Sequence, residues 1–281
     1  MKKIRFTVSY FMKEVLKEDK EYFGAEIGAI GNRLFEYYAN KDIDKIDLKI
    51  SGGQIVQFNL SKYNEEMYYK ILQEHSVETE AEYLRDIFFT YINNPRYKRE
   101  KILFDKTFRD IEEAIAEKKK VNIKYNGEIR TVNPYFIKVA DGENRSYLFC
   151  YCEKNNDYRC YRMSEIKNIM VSKKDVEVKD SRYIENIYNN FDPFRSYGKR
   201  VKVKFTDKGK ELLKKVVSNR PKILENTKDE YVFECDIKLA QVYFPQFFSE
   251  VEILEPKELQ EWFRDKFKKG YDLYRGKLCG E

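Results

Sequence analysis

Four arginines, Arg130, Arg145, Arg159 and Arg162, are threaded through the stretch from Val121 to Ile169, in which apolar and polar residues otherwise alternate. Guanidinium groups pair with phosphate oxygens through two parallel hydrogen bonds, and the neighbouring tyrosines offer faces on which unpaired bases stack. Arginines placed in this way line a surface for something anionic.

The elements that must position them follow from the same residues. Val121, Ile123 and Tyr125 face one way and Asn122 and Lys124 the other, before Asn126-Gly127 turns the chain into a return strand. Ile129 to Val132, Tyr135 to Val139, Tyr147 to Cys152 and Tyr158 to Arg162 continue as short strands without an intervening helix. Such a series fits a small curled antiparallel barrel better than a parallel sheet.

Tyr125, Arg130-x-x-x-Pro134, Tyr147-Leu148 and Tyr161-Arg162-x-x-x-Ile166 resemble a WYL domain. Two positions depart from the family pattern: Ser146 replaces the eponymous tryptophan, and Glu165 stands where a second arginine is usual. The resemblance implies an Sm-like five-stranded barrel that binds single-stranded nucleic acid or a nucleotide-like regulator and is not itself an enzyme. It also implies Tyr125, Arg130, Tyr147, Arg159 and Arg162 as ligand residues, with Arg145, in the preceding loop, a weaker choice. An alternative stays open, in which Tyr125 and Tyr147 fill the core and the arginines pair with Glu128, Asp157 or Glu165.

The remaining sequence is long enough for two to four domains, at 281 residues. Lys and Arg number 54 against 48 Asp and Glu, so the net charge of +6 does not by itself argue for nucleic acid. The distribution says more, because residues 195–222 hold eleven basic side chains against Asp207 and Glu211. The five cysteines form no CxxC pair, which supports neither a disulfide framework nor a zinc site and favours a reducing cytoplasm. His75 is the only histidine and reads as a helix-end residue, so neither a His-based catalytic pair nor a metal cluster is expected. No apolar run is long enough for a bilayer, and no signal-peptide core stands near Met1.

Residues 1–95 contain an internal repeat. Ile4 to Ser9 reappears as Val56 to Ser61, and Phe35-x-x-Tyr38-x-Asn40 reappears as Phe88-x-x-Tyr91-x-Asn93. Each copy reads strand, helix, turn, helix: helices about Tyr10 to Phe23 and Ala25 to Asn40, then Lys62 to His75 and Glu78 to Asn93. The layout resembles a tandem ribbon-helix-helix module, whose ribbon would point Lys3, Arg5, Thr7, Gln57 and Asn59 outward. Against specific duplex binding stand the acidic start Glu78-Thr79-Glu80-Ala81-Glu82, which repels phosphate, and a balance of 19 basic and 19 acidic residues over 1–110.

Residues 96–120 read as a solvated connector with one helix, Ile102 to Glu117, the WYL-like segment as 121–178, and Asp180 to Tyr197 as linker. The last segment, 198–279, opens with Arg200, Lys202 and Lys204 alternating with Val201, Val203 and Phe205, a cationic strand face suited to a phosphate backbone. Val251 to Leu259 resembles the small ferredoxin-like extension that follows WYL domains. Trp262, Phe263, Phe267, Tyr271 and Tyr274 crowd one final helix, which suggests a homodimer.

The fold class expected is therefore α+β and multidomain, with no cofactor and no metal. The order of modules resembles bacterial transcriptional regulators and, more closely in the spacing of Arg99-Glu100-Lys101-Ile102-Leu103-Phe104 before the barrel, the WYL accessory proteins of type VI-D CRISPR systems, which implies single-stranded RNA or DNA and a CRISPR effector nuclease as partners. The other readings are a ligand-responsive DNA-binding transcriptional regulator and, least supported, a nuclease, for which no carboxylate cluster stands out.

Overall fold

Alternation decides the first element. Ile4, Phe6 and Val8 are buried in β1 (Lys3–Val8), as are Val56 and Phe58 in β2 (Gln54–Asn59), and the two strands pair antiparallel with Lys3 opposite Asn59 and Arg5 opposite Gln57. The computed structural model describes residues 2–43, 53–75, 77–140 and 144–275. They divide into two units, one of the described residues up to 139 with 144–177 and the other of residues 178–275 with residue 140.

In the first unit, each ribbon strand leads into a helix capped by serine. Ser9 accepts from the Met12 amide at the start of α1 (Tyr10–Phe23), and Ser61 accepts from the Asn64 amide at the start of α3 (Lys62–Glu74), which fills an otherwise orphan donor in each helix. Gly24, with φ of 60°, ends α1 in the left-handed conformation that glycine adopts without a Cβ clash. The second helices are α2 (Ile27–Tyr38) and α4 (Glu80–Ile92). Phe35 and Phe88, equivalent in the repeat, are both buried, and Phe88 meets Phe6 with ring centroids 5.1 Å apart. The repeat read in the sequence is thus a repeat of structure, its helices one to two residues shorter than expected at several ends. His75 caps α3, its ring against Tyr83 and its Nε2 2.9 Å from the Ala39 carbonyl oxygen.

The expected connector is two helices rather than a solvated hinge with one. α5 (Arg96–Leu103) and α6 (Asp105–Ala116) meet at Phe104, and Arg99 and Glu100 of α5 are buried. Arg99 reaches Asp19 of α1, while Glu100 accepts from the amides of Ser146, at 2.7 Å, and Ser164, at 3.3 Å. A burial the charge pattern conceals thereby ties α5 to the ribbon-bearing helices and to the second sheet.

That sheet contains β3 (Lys119–Tyr125), β4 (Glu128–Ala140), β5 (Arg145–Cys152), β6 (Asp157–Arg162) and β7 (Lys167–Asp175) in the order β6-β5-β4-β3-β7. Asn126 and Gly127, at φ of 50° and 80°, make the tight turn from β3 to β4. Two expectations are corrected here. The strands expected on either side of Pro134 are one, and the fifth strand is β7, whose largely exposed residues give no alternation to read. The sheet is also open, with β6 and β7 at its two ends, where a closed barrel had been expected.

The second unit begins with α7 (Ser181–Asn189), capped by Asp180, where an unstructured linker was expected. Then follow β8 (Arg200–Phe205), α8 (Asp207–Lys215), β9 (Lys222–Asn226), β10 (Glu230–Glu234), α9 (Ile237–Tyr243), a 3-10 turn, β11 (Val251–Glu255) and α10 (Lys257–Arg275). The sheet is antiparallel in the order β11-β8-β10-β9, over a core of Val201, Val203, Phe205, Phe233 and Phe244. Tyr231 to Ala240 spans β10 and the start of α9, and β9, with largely exposed residues, pairs with β10. Of the α10 rings, Phe263 is buried and Trp262 packs on the core, whereas Phe267, Tyr271 and Tyr274 are exposed. Across the described residues the fold is mixed α and β, with ten α-helices and three sheets, and no helix is long and apolar enough to cross a membrane.

Candidate nucleic-acid interface

Four of the five WYL candidates join one run of contacts. The Arg130 guanidinium carbon lies 5.9 Å from the Tyr161 ring centroid, and Tyr161 lies 4.6 Å from the ring of Tyr125. The Tyr125 hydroxyl donates to Glu165 Oε2 at 2.6 Å, and Arg162 Nη1 donates to Glu165 Oε1 at 2.9 Å. Tyr147, buried and directly across the β5–β6 ladder from Arg162, shares a side-chain hydrogen bond with it. Arg130, Tyr161, Tyr125, Glu165, Arg162 and Tyr147 thus form a continuous chain of contacts that runs from the β3–β4 turn to the far end of the β5–β6 hairpin. Arg159 is apart from it, bonded to Asp157 and to the Tyr158 carbonyl.

Each candidate arginine already has a carboxylate. Arg130 pairs with Glu128 at 2.8 Å, Arg162 pairs with Glu165 at 2.9 Å, and Arg159 pairs with Asp157. Their side chains are 15%, 44% and 30% exposed in that order, so Arg162 is the most open to a ligand. Both earlier readings contribute: Tyr147 is core, and the arginines pair locally, yet four candidates remain linked.

Glu165 sets the electrostatics. Burial opposes its charge, but the Tyr125 hydroxyl and the Arg162 guanidinium outweigh that and hold its carboxyl below the usual range. Burial, and after it the bond to Glu165, push the Tyr125 phenol up, against a lowering effect of Arg162. A phosphate arriving at Arg162 therefore competes with an internal anion. Ser146 leaves no tryptophan ring at its position; its amide instead binds Glu100.

Sequence reasoning missed Tyr161 as the bridge between the two arginines, although its adjacency to Arg162 was visible. It also undervalued Arg145, whose Nε donates to Tyr22 at 2.7 Å and whose guanidinium stands 4.3 Å from that ring, with Arg96 4.4 Å from it. The contact joins residues 123 apart in sequence.

On the ribbon, Lys3, Arg5, Thr7, Gln57 and Asn59 are all exposed on one face, as alternation implied. At the N-terminus of α4, Glu80 pairs with Lys2 at 2.9 Å and accepts from Tyr68 at 3.2 Å, so acidic groups stand where a phosphate would seat. On β8, Lys202 pairs with Glu230 at 2.8 Å and Arg200 with Glu225 at 3.5 Å, while Lys204 lies between Glu230 and Glu252. The cationic stripe of one strand is therefore a mixed-charge surface once its neighbours pair with it. Among the described residues Cys150, Cys152, Cys160 and Cys235 form no disulfide, and no group of metal-ligating side chains gathers.

Residues 106–171, from within α6 to within β7, match the family model of the WYL domain. A crystal structure described as that of a CRISPR Cas-related protein aligns over 99% of this chain and 95% of its own, with a TM-score of 0.67 at 16% identity, which is a likeness of fold. Proteasome accessory factor B/C (PafBC) of Arthrobacter aurescens aligns over 75% of this chain and 36% of its own, with 15% identity and a TM-score of only 0.28. No curated protein matches the sequence.

Proposed function

We propose that this protein is a non-catalytic regulator that binds single-stranded RNA through its WYL domain and acts as an accessory of an RNA-targeting CRISPR effector. The observation that carries the reading is the line from Arg130 through Tyr161, Tyr125 and Arg162 to Tyr147, in which Arg130 and Arg162 supply phosphate-pairing groups and the half-buried Tyr125 a ring for stacking. The full-length likeness in fold to a CRISPR Cas-related protein supports the setting.

In this reading the paired β1 and β2 with their four helices are a ribbon-helix-helix module, the five-stranded sheet is an opened Sm-like barrel, and the order β11-β8-β10-β9 is that of a ferredoxin-like extension. The exposed α10 rings mediate a homodimer in the cytoplasm, for which light scattering after gel filtration is the check. A second reading, a ligand-responsive DNA-binding transcriptional regulator, is favoured by the ribbon alone, where five hydrogen-bonding side chains share one exposed face.

The two readings separate in one experiment. Single-stranded RNA, single-stranded DNA and duplex DNA are titrated at several salt concentrations against the parent, Arg130→Ala and Arg162→Ala. The accessory reading expects single strands to bind more tightly than duplex, with stacking contributing about 1–3 kcal/mol per base and both substitutions weakening it. Tighter, sequence-dependent duplex binding that Arg5→Ala abolishes would replace it with the second. Parent-like single-strand binding by both WYL variants would sink the pocket.

A further inference from the structure

A cleft that shares no side chain with that line of groups is built around Arg33 of α2. Its volume is about 470 Å³, inside the roughly 300–1,000 Å³ of small-molecule sites. Tyr37, Tyr63, Phe104 and the first turn of α6 at Asp105 to Thr107 line it, together with Arg33. The other cations of the wall are committed: Arg109 pairs with Asp105 at 2.8 Å and Lys106 with Asp110 at 2.6 Å.

Arg33 is different. Its Nη1 is buried without a hydrogen-bond partner, and its guanidinium lies 4.9 Å from the centroid of Phe104. The Lys167 ammonium approaches the same ring to 5.3 Å and donates only to the Ser164 carbonyl. Burial, and for Lys167 the charge of Arg33, lower the proton affinity of both cations. Glu36 and Glu165 act on them only through space, and neither cation has an ion pair among the described residues. Two like charges on one ring, the half-buried Arg33 and the more open Lys167, at a cleft with two further aromatic rings, call for an anion that the described residues do not supply.

We propose that this cleft binds a nucleotide, its phosphate held by Arg33 in the field of Lys167 and its base against Tyr37 and Tyr63. Guanidinium geometry suits a phosphate, and Arg109 neutralises Asp105, the acidic side chain in the first turn of α6. The nucleotide is either free or the phosphorylated end of a strand. The site is independent of the strand-binding reading, because it shares no side chain with it.

The test titrates the full-length protein calorimetrically with AMP, CMP, GMP and UMP, with inorganic phosphate, and with a hexanucleotide bearing or lacking a 5′-phosphate. At least one mononucleotide or the phosphorylated hexanucleotide binds the parent, Arg33→Gln weakens it about tenfold, the scale of one charge-assisted contact, and Lys167→Gln, which acts only through its field, weakens it less. Arg130→Ala with Arg162→Ala leaves that binding intact, which separates its fate from that of the WYL site. Arg33→Gln removes an unpaired buried charge, so it should keep the parent's circular dichroism and melt no lower. Competition between the phosphorylated hexanucleotide and the mononucleotide assigns a strand end, and its absence a free nucleotide. Failure of every phosphorylated probe to bind, an Arg33→Gln variant that binds like the parent, or inorganic phosphate binding as tightly as any nucleotide overturns the proposal.

Discussion

Asp19 and Arg99, eighty residues apart, form a two-pronged buried ion pair, with Nε to Oδ2 at 2.7 Å and Nη2 to Oδ1 at 2.8 Å. Tyr91 donates to the same carboxylate at 2.7 Å, and Arg99 Nη1 reaches the Asn94 carbonyl at 2.8 Å, so both charges are satisfied without water. Removing one partner strands the other in the interior. Asp19→Ala should therefore cost about 3–5 kcal/mol, whereas Asp19→Ala combined with Arg99→Met should cost less than the single change. Urea denaturation followed by circular dichroism checks this, and a double variant less stable than Asp19→Ala alone would contradict it.

Glu165 occupies the most open arginine of the WYL line, so its removal should expose a phosphate-pairing group. Glu165→Gln is expected to tighten single-stranded RNA binding by roughly threefold to tenfold and to steepen the salt dependence by about 0.7, one phosphate contact on a single strand. Filter binding at several salt concentrations measures both quantities. Unchanged affinity and slope would mean that Arg162 does not touch the strand.

The same carboxylate gives stability a pH dependence. Its folded-state affinity for a proton is held below the ordinary value of 4.5 by Tyr125 and Arg162, against the opposing effect of burial. A depressed carboxyl stabilises the fold above its unfolded value and loses that contribution as pH falls through its folded value. The stability gap between the parent and Glu165→Gln should thus be constant near neutrality and close in acid, as urea midpoints at about pH 7 and about pH 4 would register. A gap that widens on acidification would reverse the assigned sign.

Elements with one buried face were legible. Ile4, Phe6 and Val8 revealed β1, and Ser9 and Ser61 marked two helix starts, because period and capping are local signals. β7 was not legible, since an edge strand with few buried residues has no face for alternation to report. Nor was the burial of Arg99 and Glu100: a run of charges reads as solvated until distant partners, Asp19 and the Ser146 amide, are folded against it. The candidate site divides in the same way. Tyr125, Arg130 and Arg162 followed from the WYL pattern, while the role of Tyr161 and the Tyr22–Arg145 contact depend on packing between segments far apart in sequence.

Two glycines of α2 should respond oppositely to the same substitution. A Cβ on Gly28 would meet only the Phe58 Cβ at 3.6 Å, an ordinary contact, so Gly28→Ala should gain up to about 1 kcal/mol from helix propensity. A Cβ on Gly31 would stand 2.5 Å from the Phe58 ring, which is buried and packed within 6.3 Å of Phe88. That ring has little room to withdraw, and overpacking of this kind costs about 1–3 kcal/mol, more than the propensity gain. Gly31→Ala should accordingly lower the melting temperature while Gly28→Ala raises or preserves it. Parent-like melting of Gly31→Ala would show that the helix can move off the ribbon, and that close approach is not what this glycine provides.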